Sequence, residues 1–177
     1  MKYRLAGNFY CKILYVTLLV LFLTGICFAL PKWPHEKSDL SPDPEVVWGK
    51  LDNGFRYVLM KNTVPDKRIS MHLNIQAGSL YEKGEERGIA HFLEHMLFQG
   101  TKHFGPGDLV KYFQSLGMQF GPDANAHTGF DETVYDILLP DGSGKTLEDG
   151  LLVMKDYAQN ALLLPQEIDK ERKVVLA

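Results

Sequence analysis

Between Arg87 and Thr101 the chain reads RGIAHFLEHMLFQGT. Ile89, Phe92, Leu93, Met96 and Leu97 recur at helical spacing, and three titratable side chains, His91, Glu94 and His95, interrupt them. A helix turns about 100° per residue, so Glu94 lies roughly −60° and His95 roughly +40° around the axis from His91. All three therefore share one face of a helix that runs from about Gly88 to Phe98 and stops at Gly100. A polar face set among apolar residues is costly to bury unless it finds partners. A chain carrying this segment must give that face a cleft, a set of hydrogen-bonding groups or an ion.

Histidines at i and i+4 can aim one ring nitrogen each at a single point, as two ligands of a tetrahedral Zn²⁺ must. A carboxylate beside that point can accept a proton from metal-bound water and pass it to a leaving amine. The order here is H-x-x-E-H, the inverse of the H-E-x-x-H arrangement. Taken alone, the three residues also fit an amphipathic helix whose histidines are packed or solvated.

The flanking pattern predicts an α+β fold. Two β-prone runs bracket Asp52-Asn53-Gly54, a hairpin turn signal. RISMHLNIQAGS alternates, with Ile69, Met71, Leu73 and Ile75 on one side and His72 on the other, and reads as a half-buried strand. A second helix, GPGDLVKYFQSLG, ends at Gly117. MQFGPDANAHTGFDETVYDILLP reads as a strand, a loop and a further strand from Glu132 to Leu139. The next helix puts Leu147, Leu151, Met154, Tyr157 and Ala158 on one stripe, and Pro165 opens a last one. That last helix has no stop signal before Ala177, so the domain reads as truncated at its C-terminal end. The order suggests helices packed on one face of a mostly antiparallel sheet.

The N-terminal end belongs to a different class of segment. Lys2, Arg4 and Lys12 precede an apolar run from Ile13 to Phe28, and Cys27 and Ala29 stand where a signal peptidase needs small residues. Residues 1–29 read as a signal peptide, with an N-terminal membrane anchor as the alternative. Residues 30–45 hold four prolines and read as a linker into a domain over 46–177. Both cysteines, Cys11 and Cys27, fall in the leader, so the exported part relies on its core or on a metal rather than on disulfides. The leader also holds three of the 19 basic side chains, leaving 16 against 22 acidic ones. Nothing in that balance points to nucleic acid.

GSLYEKGEERGIAHFLEHMLFQGTKHF, followed by NAHTGFDETVYDILLP, resembles the N-terminal domain of the pitrilysin-type zinc peptidases, the inverzincins that include insulysin and the mitochondrial processing peptidase. The similarity runs from about Val47 to the end. It implies a zinc-dependent endopeptidase in which His91 and His95 bind one Zn²⁺ and Glu94 is the general base acting on zinc-activated water. Glu171 is either a residue that supports the site or the third ligand itself. Relatives carry two glutamates seven apart on that helix, which would put the ligand one position past Ala177. Asn125 and Ala126 are implied to bind substrate, a peptide or unfolded polypeptide, by strand addition to a sheet edge. A second homologous domain, in cis or in a partner subunit, is implied to complete the enzyme. The resemblance also allows a non-catalytic member that acts as a zinc-binding or scaffold domain, although such members usually have a damaged motif. The leader implies export, to a periplasm or cell envelope if the source is bacterial. His72 and His127 read as solvated, Tyr135 as strand packing, and Phe98, Phe104 and Phe113 as core.

Overall fold

The computed structural model describes residues 33–176, and the chain divides into two compact units, Met1–Lys61 and Asn62–Ala177. The signal peptide or anchor expected over 1–29 and the first residues of the linker lie outside the described residues. Among those described, no helix is long and apolar enough to cross a membrane.

Among the described residues, the first unit holds a hairpin. Strands β1 (Val46–Lys50) and β2 (Arg56–Met60) pair antiparallel with Lys50 opposite Arg56. The turn signal does what its chemistry predicts. Gly54 takes φ +92°, a left-handed conformation that glycine adopts without steric cost. The Asn53 side chain accepts from the Phe55 N–H at 3.0 Å. The proline-rich stretch ahead carries a short 3-10 turn, Pro34–Lys37. Trp33 meets Trp48 edge-on at 5.0 Å, and the Arg56 guanidinium lies over the Trp33 ring.

The second unit holds the polar helix. Strands β3 (Ile69–Ile75), β4 (Ala124–Thr128) and β5 (Thr133–Leu139) form an antiparallel sheet in the order β3-β5-β4. The helices are α1 (Ile89–Gln99), α2 (Asp108–Ser115), α3 (Gly144–Gln159) and α4 (Pro165–Val175). The fold is α+β, as expected. Leu73, Ala124, Tyr135, Ile137 and Leu139 point from the sheet into one core with Leu97, Leu109, Phe113, Val153 and Tyr157 from the helices. On the other face His72 is exposed, in contact with Asp136 across the strand pair and with Ser70.

The stripe expected on α3 is rotated. Leu147, Leu151 and Ala158 are exposed, while Thr146, Gly150, Val153, Met154 and Tyr157 are buried. Gly150 explains the rotation. A Cβ there would lie 2.8 Å from both Leu139 Cδ1 and Met71 Sδ, so the helix packs on the sheet through a position with no side chain. The segment before β5 also differs in detail, since β4 starts only after a turn at 121–123 and so includes Asn125 and Ala126.

Candidate active site

Helix α1 begins at Gly88, which takes φ +86°. Glu82 caps it from outside, accepting from the Ala90 N–H at 2.8 Å and the Gly88 N–H at 2.7 Å. Those bonds hold the Glu82 carboxyl below the usual carboxylate range. They also meet N–H groups at the helix end that would otherwise lack acceptors. Further along, Met96 and Leu97 enter the core, and this fixes the rotation of the helix. His91 is then exposed, His95 half-buried, and Glu94 buried at 8% exposure.

The two histidines converge. His91 Nε2 lies 3.1 Å from His95 Nε2. The other nitrogen of His95, Nδ1, lies 2.7 Å from Glu171 Oε1 on α4, and Gln99 Nε2 donates to Glu171 Oε2 at 2.7 Å. A carboxylate only accepts, so His95 carries its proton on Nδ1 and presents the lone pair of Nε2 to His91. Two nitrogens on one tetrahedral zinc, each about 2.0–2.1 Å from it, stand roughly 3.3 Å apart. The observed 3.1 Å is close to that separation. Glu171 contacts the ring nitrogen that faces away from the point of convergence. Among the described residues, no group of three or more His, Cys, Asp or Glu side chains is arranged to hold a metal.

Glu94 faces β4, where Thr128 Oγ1 donates to its Oε2 at 2.5 Å. Tyr135 lies behind. Burial first, and then the Glu94 charge, push the Tyr135 hydroxyl well above its ordinary range. Tyr135 thus packs as a strand residue.

Among the described residues β4 is an edge of its sheet, pairing only with β5. The Leu138 N–H donates to the Asp123 carbonyl at 2.7 Å. Hydrogen-bonded pairs alternate along an antiparallel ladder, so Asn125 and His127 turn their backbone groups toward β5 while Ala124, Ala126 and Thr128 turn theirs outward. Ala124 is occupied locally, accepting from Gly121 N–H at 2.9 Å and donating to Gln119 at 3.3 Å. Ala126 is left at the open edge. Two clefts meet there, of about 450 and 530 Å³, and Glu94 and Ala126 line both. The first is also lined by His95, Asn125, Glu171 and Phe98, the second by His91, Thr128 and Phe130. Phe98 thus lines a cleft wall as well as packing against the core, whereas Phe113 is fully buried. His127 is exposed, as its sequence context suggests.

The family profile described as insulinase, peptidase family M16, matches residues 57–177. The chain belongs to the insulinase family of peptidases. Over 157 residues it is 38% identical to the probable zinc protease PqqL of Haemophilus influenzae, a match covering 89% of this chain and 17% of that protein. It superposes on the crystal structure of the periplasmic protease PqqL from Escherichia coli with a TM-score of 0.74 at 37% identity, covering 77% of this chain and 15% of that one. The crystal structure of the first half of the same protease matches with the same score, and there the chain covers 29%. The chain thus spans less than a third of the length of these relatives. The Haemophilus influenzae relative is by its name a probable zinc protease.

Proposed function

We propose that this insulinase-family chain is part of an exported zinc-dependent endopeptidase and carries half of its catalytic site. One observation supports this most directly: His91 and His95 aim Nε2 atoms at one point, 3.1 Å apart, with Glu94 buried beside them at an open strand edge. His91 and His95 would hold a single zinc. Glu171 would not be a ligand. It would fix the His95 tautomer and ring, as carboxylates that contact ligating histidines do. The third ligand would come from outside the described residues.

A bound zinc supplies Lewis acidity toward the scissile carbonyl and toward water. The rest belongs to the chain. The peptide adds as a strand to β4, pairing with the outward N–H and C=O of Ala126, while Asn125 lines the cleft beside it. Glu94 takes a proton from the attacking water and returns it to the amine that leaves, so the carboxylate is regenerated. Recognition through backbone pairing reads extension more than sequence, which suits a peptide or an unfolded polypeptide. A second homologous domain, in cis or from a partner subunit, would supply the other wall and the donors for the oxyanion. The leader would direct the protein to a periplasm or cell envelope.

The test is the Glu94→Gln variant of the full-length protein. It should keep its zinc and lose peptide hydrolysis by about 10²–10⁴-fold, the usual contribution of a general base. Unchanged cleavage would remove Glu94 from that role.

A further inference from the structure

A general base on a long side chain works only if its oxygen is aimed. Glu94 has three rotatable bonds and stands on a helix, whereas the substrate would be aligned by a strand. The two elements must share a frame of reference. Thr128 Oγ1 donates to Glu94 Oε2 at 2.5 Å, and this is the one side-chain hydrogen bond of Glu94 among the described residues. Thr133 does not compete for that carboxylate. Its hydroxyl donates to the Ala77 carbonyl at 2.9 Å and only brushes Thr128 Oγ1 at 3.5 Å. A hydroxyl has one proton, and that of Thr128 is committed to Glu94.

Resting on the peptidase reading above, we infer that Thr128 is a positioning residue that locks Glu94 in its working rotamer and ties the base to the strand that binds substrate. The bond occupies Oε2 and leaves Oε1 free for the proton of the attacking water. Thr128 is two residues from Ala126, so both side chains lie on the same face of β4. Backbone pairing at Ala126 sets where the scissile bond lies, and the hydroxyl two residues on sets where the base lies. Both distances are fixed within one rigid strand that is bonded along its length to β5.

The inference is tested in the full-length protein with Thr128→Val, which keeps the shape and removes the hydroxyl, and Thr128→Ser, which keeps the hydroxyl. Thr128→Val should lower kcat about 10–100-fold, the scale expected when a catalytic group loses its alignment. KM should stay within about twofold, and zinc content and affinity should match wild type. Thr128→Ser should recover most of kcat. A crystal structure of Thr128→Val should show the Glu94 carboxylate in a different or divided orientation. If Thr128→Val does not fold, Thr128→Ala carries the same expectation. Wild-type kcat in the Val or Ala variant, no recovery with Ser, or a loss that follows zinc loss would overturn the inference. Glu94→Gln separates the two levels. Hydrolysis lost there but intact in Thr128→Val overturns the positioning role alone, whereas hydrolysis that survives Glu94→Gln overturns the base assignment and the positioning role together.

Discussion

A histidine ring can present either nitrogen, and Glu171 decides which one His95 presents. Its Oε1 holds the Nδ1 proton while Gln99 holds its other oxygen, so the carboxylate is clamped by two residues of the helix it serves. Removing such a partner typically costs 10–100-fold in metal affinity. Glu171→Ala should therefore weaken zinc binding by about that factor in a chelator competition, with His91 and His95 unchanged. Complete loss of zinc would instead favour a direct ligand, and unchanged affinity would deny Glu171 any role. The histidine pair and Glu94 were legible in the sequence because their relation is local: one helix period places them on one face. Glu171 lies 76 residues from His95, and only the resemblance to a family singled it out. Thr128 had no signal at all. A hydroxyl that meets a carboxylate across 34 residues leaves no periodicity to read.

Elements carry the site, and two of them are held in ways the sequence hides. The turn after α1 is tied to the end of α3 by Asp156, which is fully buried. It accepts from Thr101 Oγ1 at 2.7 Å, Asn160 Nδ2 at 2.9 Å, and both the N–H and ring nitrogen of His103 at 2.9 and 2.8 Å. Burial pushes its carboxyl upward, but these donors outweigh burial and hold it down at about 2. A depressed value means the folded state favours the carboxylate, so its stabilisation is full above about pH 4 and is lost as pH falls toward 2. That contribution is on the order of 2 kcal/mol. Urea unfolding measured from pH 5 to pH 2 should show Asp156→Asn less stable and less steep in its acid dependence than wild type. Equal slopes would count against the tie. Helix α3 gives the second case. Its period was legible but not its absolute rotation, because apolar residues lie on two overlapping stripes and Gly150 selects between them by allowing close approach. Gly150→Val should lower stability by about 1–3 kcal/mol, since overfilling a packed contact costs that much. The measurement is a thermal melt, and an unchanged midpoint would mean the helix can move away.

At the scale of the molecule, the order of strands and helices followed from patterning, since α+β alternation and turn residues are local signals. The sheet order β3-β5-β4 did not, because pairing of distant strands is set by tertiary packing rather than by sequence neighbours. That order matters for function. Among the described residues it leaves β4 at an edge, with the backbone N–H and C=O of Ala126 turned outward beside Glu94, where the proposed peptide strand would add. The relatives of this insulinase-family chain are several times longer. The most direct test of the account is anomalous diffraction at the zinc edge from crystals of the full-length Glu94→Gln protein. The account predicts one zinc peak within about 2.0–2.1 Å of both His91 Nε2 and His95 Nε2, with Glu171 on His95 Nδ1 and outside the coordination sphere. A peak elsewhere, or none in a zinc-saturated crystal, would contradict it.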